Sequence, residues 1–229
     1  MVARSQYWIR TILRHPANRG ARLAALRRAA QWHWHTWRDG TTEAVITVDG
    51  RTRLLVHTGQ FAAVWTLYNG IHDWEEVGFC LRYLRPGDHF VDVGANVGVF
   101  SVLIGSRLPG IRITAVEPYA PTVADLRTNL ALNGLQATVL ACAVGAEAGE
   151  ASLEIFSRDV LNRLTPTTLG RATGNGDLEG APGTGGALAG ASGRIPVPVH
   201  TLESLVGADP PAVVKIDVEG FELPVLRGA

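Results

Sequence analysis

The sequence predicts an α/β fold built on a doubly wound, mostly parallel sheet, and three observations support that class. Strand-like and helix-like patterns alternate from His89 onward, which is typical of parallel βαβ units. An apolar strand pattern runs directly into a glycine turn at Gly94, a position where open α/β sheets bind ligands. The 229 residues, with 46% hydrophobic content, suffice for one such domain and a short extension.

The composition changes twice along the chain, which divides it into three segments. Residues 1–40 are basic and rich in tryptophan, and their spacing predicts a helical extension. Residues 41–88 have the pattern of a β-hairpin with an Asp-Gly turn, followed by a helix. Residues 89–229 form the predicted core, in which the stretch 170–193, rich in Gly, Ala, Thr and Ser, is expected to be a mobile loop.

The period of the apolar residues predicts the individual elements. Alternation with a period of two predicts strands, and a spacing of three to four predicts helices. Prolines and glycines between them predict where each element ends. The predicted strands cover 44–48, 51–57, 89–93, 111–116, 137–141, 152–156, 195–200 and 212–217, and the predicted helices cover 74–84, 99–108, 121–133, 202–206 and the residues from about 221 onward.

Charge and cysteine content exclude several classes of function. Basic and acidic side chains number 21 each, so no overall field would attract nucleic acid or an anionic membrane, and the substrate is expected to be small or neutral. The spacing of Cys80 and Cys142 matches neither a disulfide framework nor a zinc site, and we expect no metal. Because no apolar run approaches the roughly 20 residues of a membrane span, and no signal-peptide core is present, we expect a cytoplasmic protein.

The basic extension leaves two interpretations open. Residues 1–38 carry eight arginines and no acidic residue. A solvated helix packed on the domain is the commoner outcome for such a segment, and peripheral contact with a membrane surface is the alternative. Its tryptophans predict a hydrophobic docking patch; they are Trp32, Trp34 and Trp37.

The glycine turn predicts a nucleoside site without a diphosphate. Gly94 and Gly98 allow the backbone to turn sharply and to approach a ligand. A dinucleotide fold would normally have G-x-G-x-x-G, whereas the pattern here is G-x-N-x-G. S-adenosylmethionine has no phosphate, and its amino, carboxylate and sulfonium groups need backbone polar groups and an acid. Asp92, Gly94 and Asn96 could supply these groups, so the pattern favours a methyl donor.

Glu117 is the second candidate for this site. It closes the second core strand, 25 positions after Asp92. A carboxylate at that strand end can accept hydrogen bonds from both ribose hydroxyls. An NAD-dependent oxidoreductase remains the competing interpretation of this residue, although the missing glycine of the fingerprint disfavours it.

Charged residues near the last strand are candidates for the acceptor side. A strand period would place Lys215, Asp217 and Glu219 on one face. Asp217 or Glu219 could take the proton of an alcohol acceptor during methyl transfer. Lys215, the only lysine, is expected to pair with one of these acids or with an acceptor oxygen. The alternative is a structural ion-pair cluster that caps the strand end and the next helix.

Three motifs together resemble the FkbM family of methyltransferases. They are VDVGANVG at 91–98, Glu117-Pro118, and VKIDVEGFE at 214–222. The resemblance covers about 75–229 and implies a Rossmann-like class I methyltransferase sheet with S-adenosyl-L-methionine as cofactor. It also implies O-methylation of a small-molecule, sugar or glycan hydroxyl. By position, the residues that match the cofactor loop and the ribose acid are Asp92, Gly94, Ala95, Asn96, Gly98 and Glu117, and those that match the second motif are Lys215, Asp217, Glu219 and Glu222.

The chain departs from the usual pattern of such enzymes in two ways. Cys142 and Ala143 stand where many methyltransferases have an acid for the adenine amino group, so backbone groups are expected to take that role. The chain also stops before about three further strands, so the C-terminal part of the sheet is expected to be missing. The alternative function is therefore an inactive or truncated nucleotide-binding module that acts through a partner. A nucleic-acid substrate is not expected, because the core has no basic stripe with interleaved aromatics.

Overall fold

A computed structural model describes residues 2–40, 42–58, 60–71, 73–155, 163–166 and 193–229. The predicted loop 170–193 therefore lies outside the described residues, apart from Gly193. Within these ranges the helices are α1 (Val2–Arg14), α2 (Arg22–Arg38), α3 (Phe61–Asn69), α4 (Trp74–Tyr83), α5 (Val99–Gly105), α6 (Ala120–Leu132), α7 (Leu202–Val206) and α8 (Glu222–Arg227). The strands are β1 (Glu43–Val48), β2 (Thr52–His57), β3 (His89–Val93), β4 (Arg112–Val116), β5 (Thr138–Leu140), β6 (Ala143–Val144), β7 (Gly149–Ile155), β8 (Arg163–Pro166), β9 (Gly193–His200) and β10 (Val213–Ile216).

A parallel sheet with the order β10-β3-β4-β5 forms the centre of the molecule. All five residues of β3 are buried, as expected for a strand with neighbours on both sides and helices on both faces. Asp92 lies beside Lys215 on β10 and beside Ala115 on β4. The predicted α/β class with a mostly parallel sheet is confirmed. This register also brings the carboxyl ends of three strands to one edge.

A second sheet, which the sequence analysis did not separate from the first, has the order β6-β9-β7-β8. β7 pairs with β8 and β9 in antiparallel fashion, whereas β6 and β9 are parallel. Alternate residues of β9 are buried and exposed toward its C-terminal end, which is typical of a sheet with one solvated face. Strands were predicted near β7 and β9, whereas β6, β8 and the assignment of all four to a separate sheet were not predicted.

The basic extension folds as two helices rather than one. A 3-10 turn at Pro16–Asn18 separates α1 from α2, because proline has no N–H to continue the hydrogen-bond pattern of α1. The buried Asn18 amide donates to the carbonyl oxygens of Ile12 and Tyr68. The extension thus packs against α3, a helix that was not predicted. Among the described helices, none combines the length and hydrophobicity needed to span a bilayer.

Asn129 attaches the hairpin to the core. This side chain on α6 is fully buried. Its Oδ1 accepts a hydrogen bond of 2.6 Å from the backbone N–H of Leu55 on β2. Its Nδ2 donates a bond of 2.8 Å to the carbonyl oxygen of Val97, in the turn that follows β3. One side chain therefore satisfies two backbone groups from different segments.

We expect Asn129→Ala to lower the free energy of unfolding by about 3 kcal/mol, because two backbone groups would lose their partner in the interior. Urea denaturation followed by circular dichroism measures this change. Thr128→Ala is the matched control, since that neighbouring side chain is exposed and bonds only within its own helix. Equal stability of the two variants would contradict this role of Asn129.

Candidate active site

An open cavity lies at the carboxyl ends of β3, β4 and β10, with an empty volume of about 1000 Å³ that includes space open to solvent. Parallel α/β sheets bind ligands at this edge. The cavity contains most of the residues that the sequence analysis selected. Those among its lining residues are Gly94, Ala95, Asn96, Glu117, Lys215, Asp217 and Glu219.

The turn after β3 has a backbone conformation that requires glycine at its first position. Gly94 has a φ of 72°, and a Cβ atom there would lie 1.9 Å from the carbonyl oxygen of Asp217. The backbone N–H groups of Gly94 and Ala95 both donate to the carbonyl oxygen of Val116, at 3.0 Å each. Asn96 follows with a φ of 50°. The turn is thus hydrogen-bonded to the end of β4 and lies in close contact with the chain that follows β10. Its residues line the cavity.

Gly98 contributes to the site indirectly. It is not among the cavity-lining residues, and it begins α5 with a φ of 85°. A Cβ atom at this position would lie 2.4 Å from Cδ1 of Leu126 on α6. The glycine therefore permits close packing of α6 on the turn, and the sequence analysis had assigned it to the cofactor itself.

The ammonium group of Lys215 is surrounded by three oxygen atoms of the protein. Its ammonium group donates to the carbonyl oxygen of Gly94 at 2.8 Å and lies 3.2 Å from Asp92 Oδ1 and 3.6 Å from Asp217 Oδ2. It also lies 5.2 Å from the ring centroid of Phe100. Burial would lower the pKa of Lys215, but the two carboxylates outweigh it and raise that pKa. A charged lysine with three oxygen partners is a connector within the site.

Asp92 lies beneath the cavity rather than in its wall. Its side chain is fully buried, with Oδ2 accepting a 2.7 Å hydrogen bond from Ser101 and Oδ1 facing Lys215. The sequence analysis expected this acid to bind the cofactor. Its contacts in the structure are those of a group that neutralises and holds Lys215.

Glu117 is a nearly buried carboxylate at the end of β4. Its Oε2 accepts from the backbone N–H of Asn96 and its Oε1 from that of Tyr119, both at 3.0 Å. Burial raises the pKa of Glu117 from an ordinary value of 4.5 to about 7, and the two N–H donors offset only part of this effect. Each oxygen retains a lone pair for a ligand. The group can therefore accept two further hydrogen bonds in its ionised form.

Asp217 and Glu219 lie beyond the end of β10, which stops at Ile216. The strand period that we extended to Glu219 is therefore wrong for the last residues. Glu219 has a φ of 43°, a left-handed conformation that is uncommon outside glycine and frequent at functional sites. The side chain of Asp217 is 65% exposed. Both acids still reach the cavity wall, because the chain turns there toward α8.

Two further walls complete the cavity, and the first of them was not connected with the site in the sequence analysis. Thr66 on α3 and Asp73, just before α4, line the cavity from the N-terminal side. No local motif marks these residues, since one lies inside an apolar helix and the other in a short turn. On the opposite side, Cys142, Ala143 and Val144 form an apolar wall at β6, where an acid is absent.

The charges of the cavity suit a cationic ligand. Its described lining includes four carboxylates and one cation, and that cation is already surrounded by protein oxygens. A diphosphate would be repelled by such a lining, whereas a sulfonium or ammonium group would be attracted. Within the described ranges, no three histidine, cysteine or acidic side chains lie close enough together to hold a metal ion. The acids are Asp73, Glu117, Asp217 and Glu219, and the cation is Lys215.

Comparison with known protein families agrees with this geometry. The model of the methyltransferase FkbM domain matches residues 92–229, which begin within β3 and include the candidate residues of the turn and of β10. The chain belongs to the FkbM methyltransferase family. This match confirms the resemblance found in the sequence. The methyl donor of this family is S-adenosylmethionine.

Individual relatives of the family match parts of the chain. The 31-O-demethyl-FK506 methyltransferase FkbM of Streptomyces tacrolimicus is 42% identical over 66 residues, or 29% of this chain and 25% of that protein. Methyltransferase sdnD of Sordaria araneosa is 31% identical over 159 residues, or 62% of this chain and 61% of that protein. In each case the match spans less than two thirds of the relative. Among solved structures, the tRNA (uracil-54, C5)-methyltransferase of Pyrococcus abyssi with S-adenosyl-L-homocysteine aligns with a TM-score of 0.34 and 16% identity, over 43% of this chain and 23% of that one.

We expect Gly94→Ala to abolish binding of S-adenosylhomocysteine, because a methyl group at this position would collide with the backbone of Asp217. Gly110→Ala is the control: its φ of 78° is similarly left-handed, but no atom lies within 4 Å of the added carbon. The control should lose only the roughly 1–2 kcal/mol of stability that the backbone conformation costs. Titration calorimetry and urea unfolding measure both effects. Normal binding by Gly94→Ala would show that the close contact is not needed.

We expect the affinity for S-adenosylhomocysteine to rise as the pH increases through about 7, because ionised Glu117 accepts hydrogen bonds better than its neutral form. Glu117→Gln should bind about thirtyfold more weakly and lose this pH dependence.

Because the folded pKa lies above the unfolded value, the stability contributed by protonated Glu117 should decline as the pH rises from about 4.5 to about 7. Calorimetry and unfolding at several pH values test both trends, with Glu203→Gln, an exposed acid, as the control. An unchanged pH profile in Glu117→Gln would contradict the assignment.

Proposed function

We propose that this protein is an S-adenosylmethionine-dependent methyltransferase that methylates a hydroxyl group of a small-molecule, sugar or glycan acceptor. The observation that supports this function most strongly is the acidic cavity at the strand ends, whose described lining has four carboxylates and one cation that is already paired. Such a lining favours a sulfonium over a dinucleotide. It therefore argues against the NAD-dependent alternative.

The residues present fit the donor in three parts. Glu117 would accept hydrogen bonds from the ribose hydroxyls, since each of its oxygens has only one backbone donor. The backbone of the turn from Gly94 to Asn96 would hold the amino-acid end. The apolar wall at Cys142 and Ala143 would contact the adenine ring, with backbone groups in place of an acid. Asp92 would act through Lys215 as a positioning residue.

The acceptor would lie on the side of Asp217 and Glu219. A bound donor supplies an electrophilic methyl group on its sulfonium. The protein must then hold the acceptor oxygen in line with that carbon and remove its proton as the new C–O bond forms. Asp217 is the better candidate for this base, because it is largely exposed and Lys215 orients one of its oxygens at 3.6 Å. The proton would pass from the carboxylate to solvent.

The nature of the acceptor is inferred from the rest of the wall. Asp73 offers a polar group, and Leu153 and Leu164 offer apolar surface on the opposite side. A hydroxylated compound with an apolar framework would suit this mixture. The Streptomyces tacrolimicus relative is a 31-O-demethyl-FK506 methyltransferase, a name that denotes methylation at an oxygen and favours an alcohol acceptor here.

We expect substitution of the catalytic base to reduce turnover by about 100-fold or more while donor affinity stays nearly unchanged. The variants are Asp217→Asn and Glu219→Gln, and Glu147→Gln, an exposed acid outside the cavity lining, is the control. Transfer of labelled methyl groups to a panel of hydroxylated metabolites measures turnover, and calorimetry measures donor binding. Full turnover in both variants would refute the base assignment. Donor binding without transfer to any compound in wild-type protein would instead favour the non-catalytic module.

A further inference from the structure

Helix α2 has two apolar faces, and within the part of the chain that the structure describes only one of them packs against other elements. The inner face contributes Ala25, Ala29 and Trp32 to the main hydrophobic cluster. The opposite side of the helix is exposed, yet it carries large apolar side chains. Leu23, Trp34 and Trp37 have relative exposures of 83%, 52% and 78%. A soluble helix normally presents polar residues on that side.

These exposed residues form one continuous stripe. With 3.6 residues per turn, positions 23, 27, 30, 34, 37 and 38 fall on the same side of a helix. The rings of Trp34 and Trp37 are in contact, with centroids 5.5 Å apart. Arg27 and Arg38 lie in the same stripe and are exposed. We call the stripe formed by these six positions the outer face of α2.

The outer face has the same positive sign of charge as the whole N-terminal segment to which it belongs. Residues 1–38 carry eight arginines and no acidic side chain, and the remaining 13 basic and all 21 acidic side chains belong to residues 39–229. The segment therefore has a formal charge of +8 and the rest of the chain −8. Arg38 lies 5.9 Å from the ring centroid of Trp34, which keeps the cation beside the aromatic surface, while its Nε lies 3.5 Å from Asp39 Oδ1, which offsets part of its charge. Cationic and aromatic groups thus coincide on one helix side.

We propose that the outer face of α2 docks on an anionic lipid surface. Tryptophan favours the boundary between headgroups and hydrocarbon, because its ring is apolar and its N–H is polar. Arginines beside it would pair with lipid phosphates. The net charge of −8 on the rest of the chain would be repelled by the same surface, which orients the molecule with α2 toward the lipid. Face-to-face pairing of two outer faces is disfavoured, since both carry positive charge.

Vesicle flotation tests this proposal with vesicles of pure phosphatidylcholine and of phosphatidylcholine mixed with phosphatidylglycerol. Wild-type protein should bind the mixed vesicles, bind pure phosphatidylcholine far more weakly, and dissociate as salt is added. Arg27→Gln/Arg38→Gln should bind about thirtyfold more weakly, and Trp34→Ala/Trp37→Ala should also lose binding. Phe79→Ala/Tyr83→Ala removes an exposed, stacked aromatic pair on α4, and Arg51→Gln/Arg53→Gln removes two exposed arginines. Both control variants should bind like wild type.

Three outcomes would overturn the proposal. The first is no binding of wild-type protein to mixed vesicles, or equal binding by the outer-face variants and the controls. The second is tighter binding to a short single-stranded RNA than to the vesicles, which would indicate a nucleic-acid surface. The third is a concentration-dependent dimer, seen in sedimentation, that the outer-face variants abolish. Calorimetry with S-adenosylhomocysteine should give wild-type affinity for every variant, which separates this test from that of the methyltransferase function.

Discussion

The ammonium group of Lys215 is the contact on which the geometry of the site depends. It connects the turn at Gly94 on β3 with Asp217 beyond β10, and it balances the charge of the fully buried Asp92. An unpaired carboxylate at that depth would be very costly. Replacement of the lysine by a neutral side chain would therefore remove the partner of Gly94, Asp92 and Asp217 at once. The contacts of Lys215 agree with the expected pairing with an acid and form an ion-pair cluster at the strand end.

The sequence could predict those parts of the site that depend on local patterns. β3 was predicted at its observed bounds because Phe90, Val91 and Val93 form a mainly apolar strand pattern that stops at a glycine turn. Glu117 was selected for its place at a strand end, and it does line the cavity. The prediction that side chains continue to alternate between two faces failed after Ile216, where β10 ends. The left-handed φ of Glu219 is incompatible with a strand. The conformation of a residue beyond a strand end depends on tertiary contacts, and the periodicity of the sequence carries no information about these contacts.

Other features could not be predicted because they depend on pairing over long distances along the chain. The strands at 152–156 and 195–200 were located, but a strand pattern does not specify its partner, so the second sheet was not foreseen. Asp73 and Thr66 reach the cavity only because α1, α2 and α3 fold back on the core. The short α3 is mostly apolar, and its few polar residues show no amphipathic period. These two wall residues also lie before residue 92, where the family match begins.

The excess of carboxylates around the cavity has a consequence for product release. Methyl transfer converts a positively charged sulfonium into a neutral thioether, so the spent cofactor would lose its attraction to Asp217 and Glu219. The acidic lining would then hold the reactive form more firmly than the used one. In this way the same charges that admit the ligand would also help to clear the site for the next cycle.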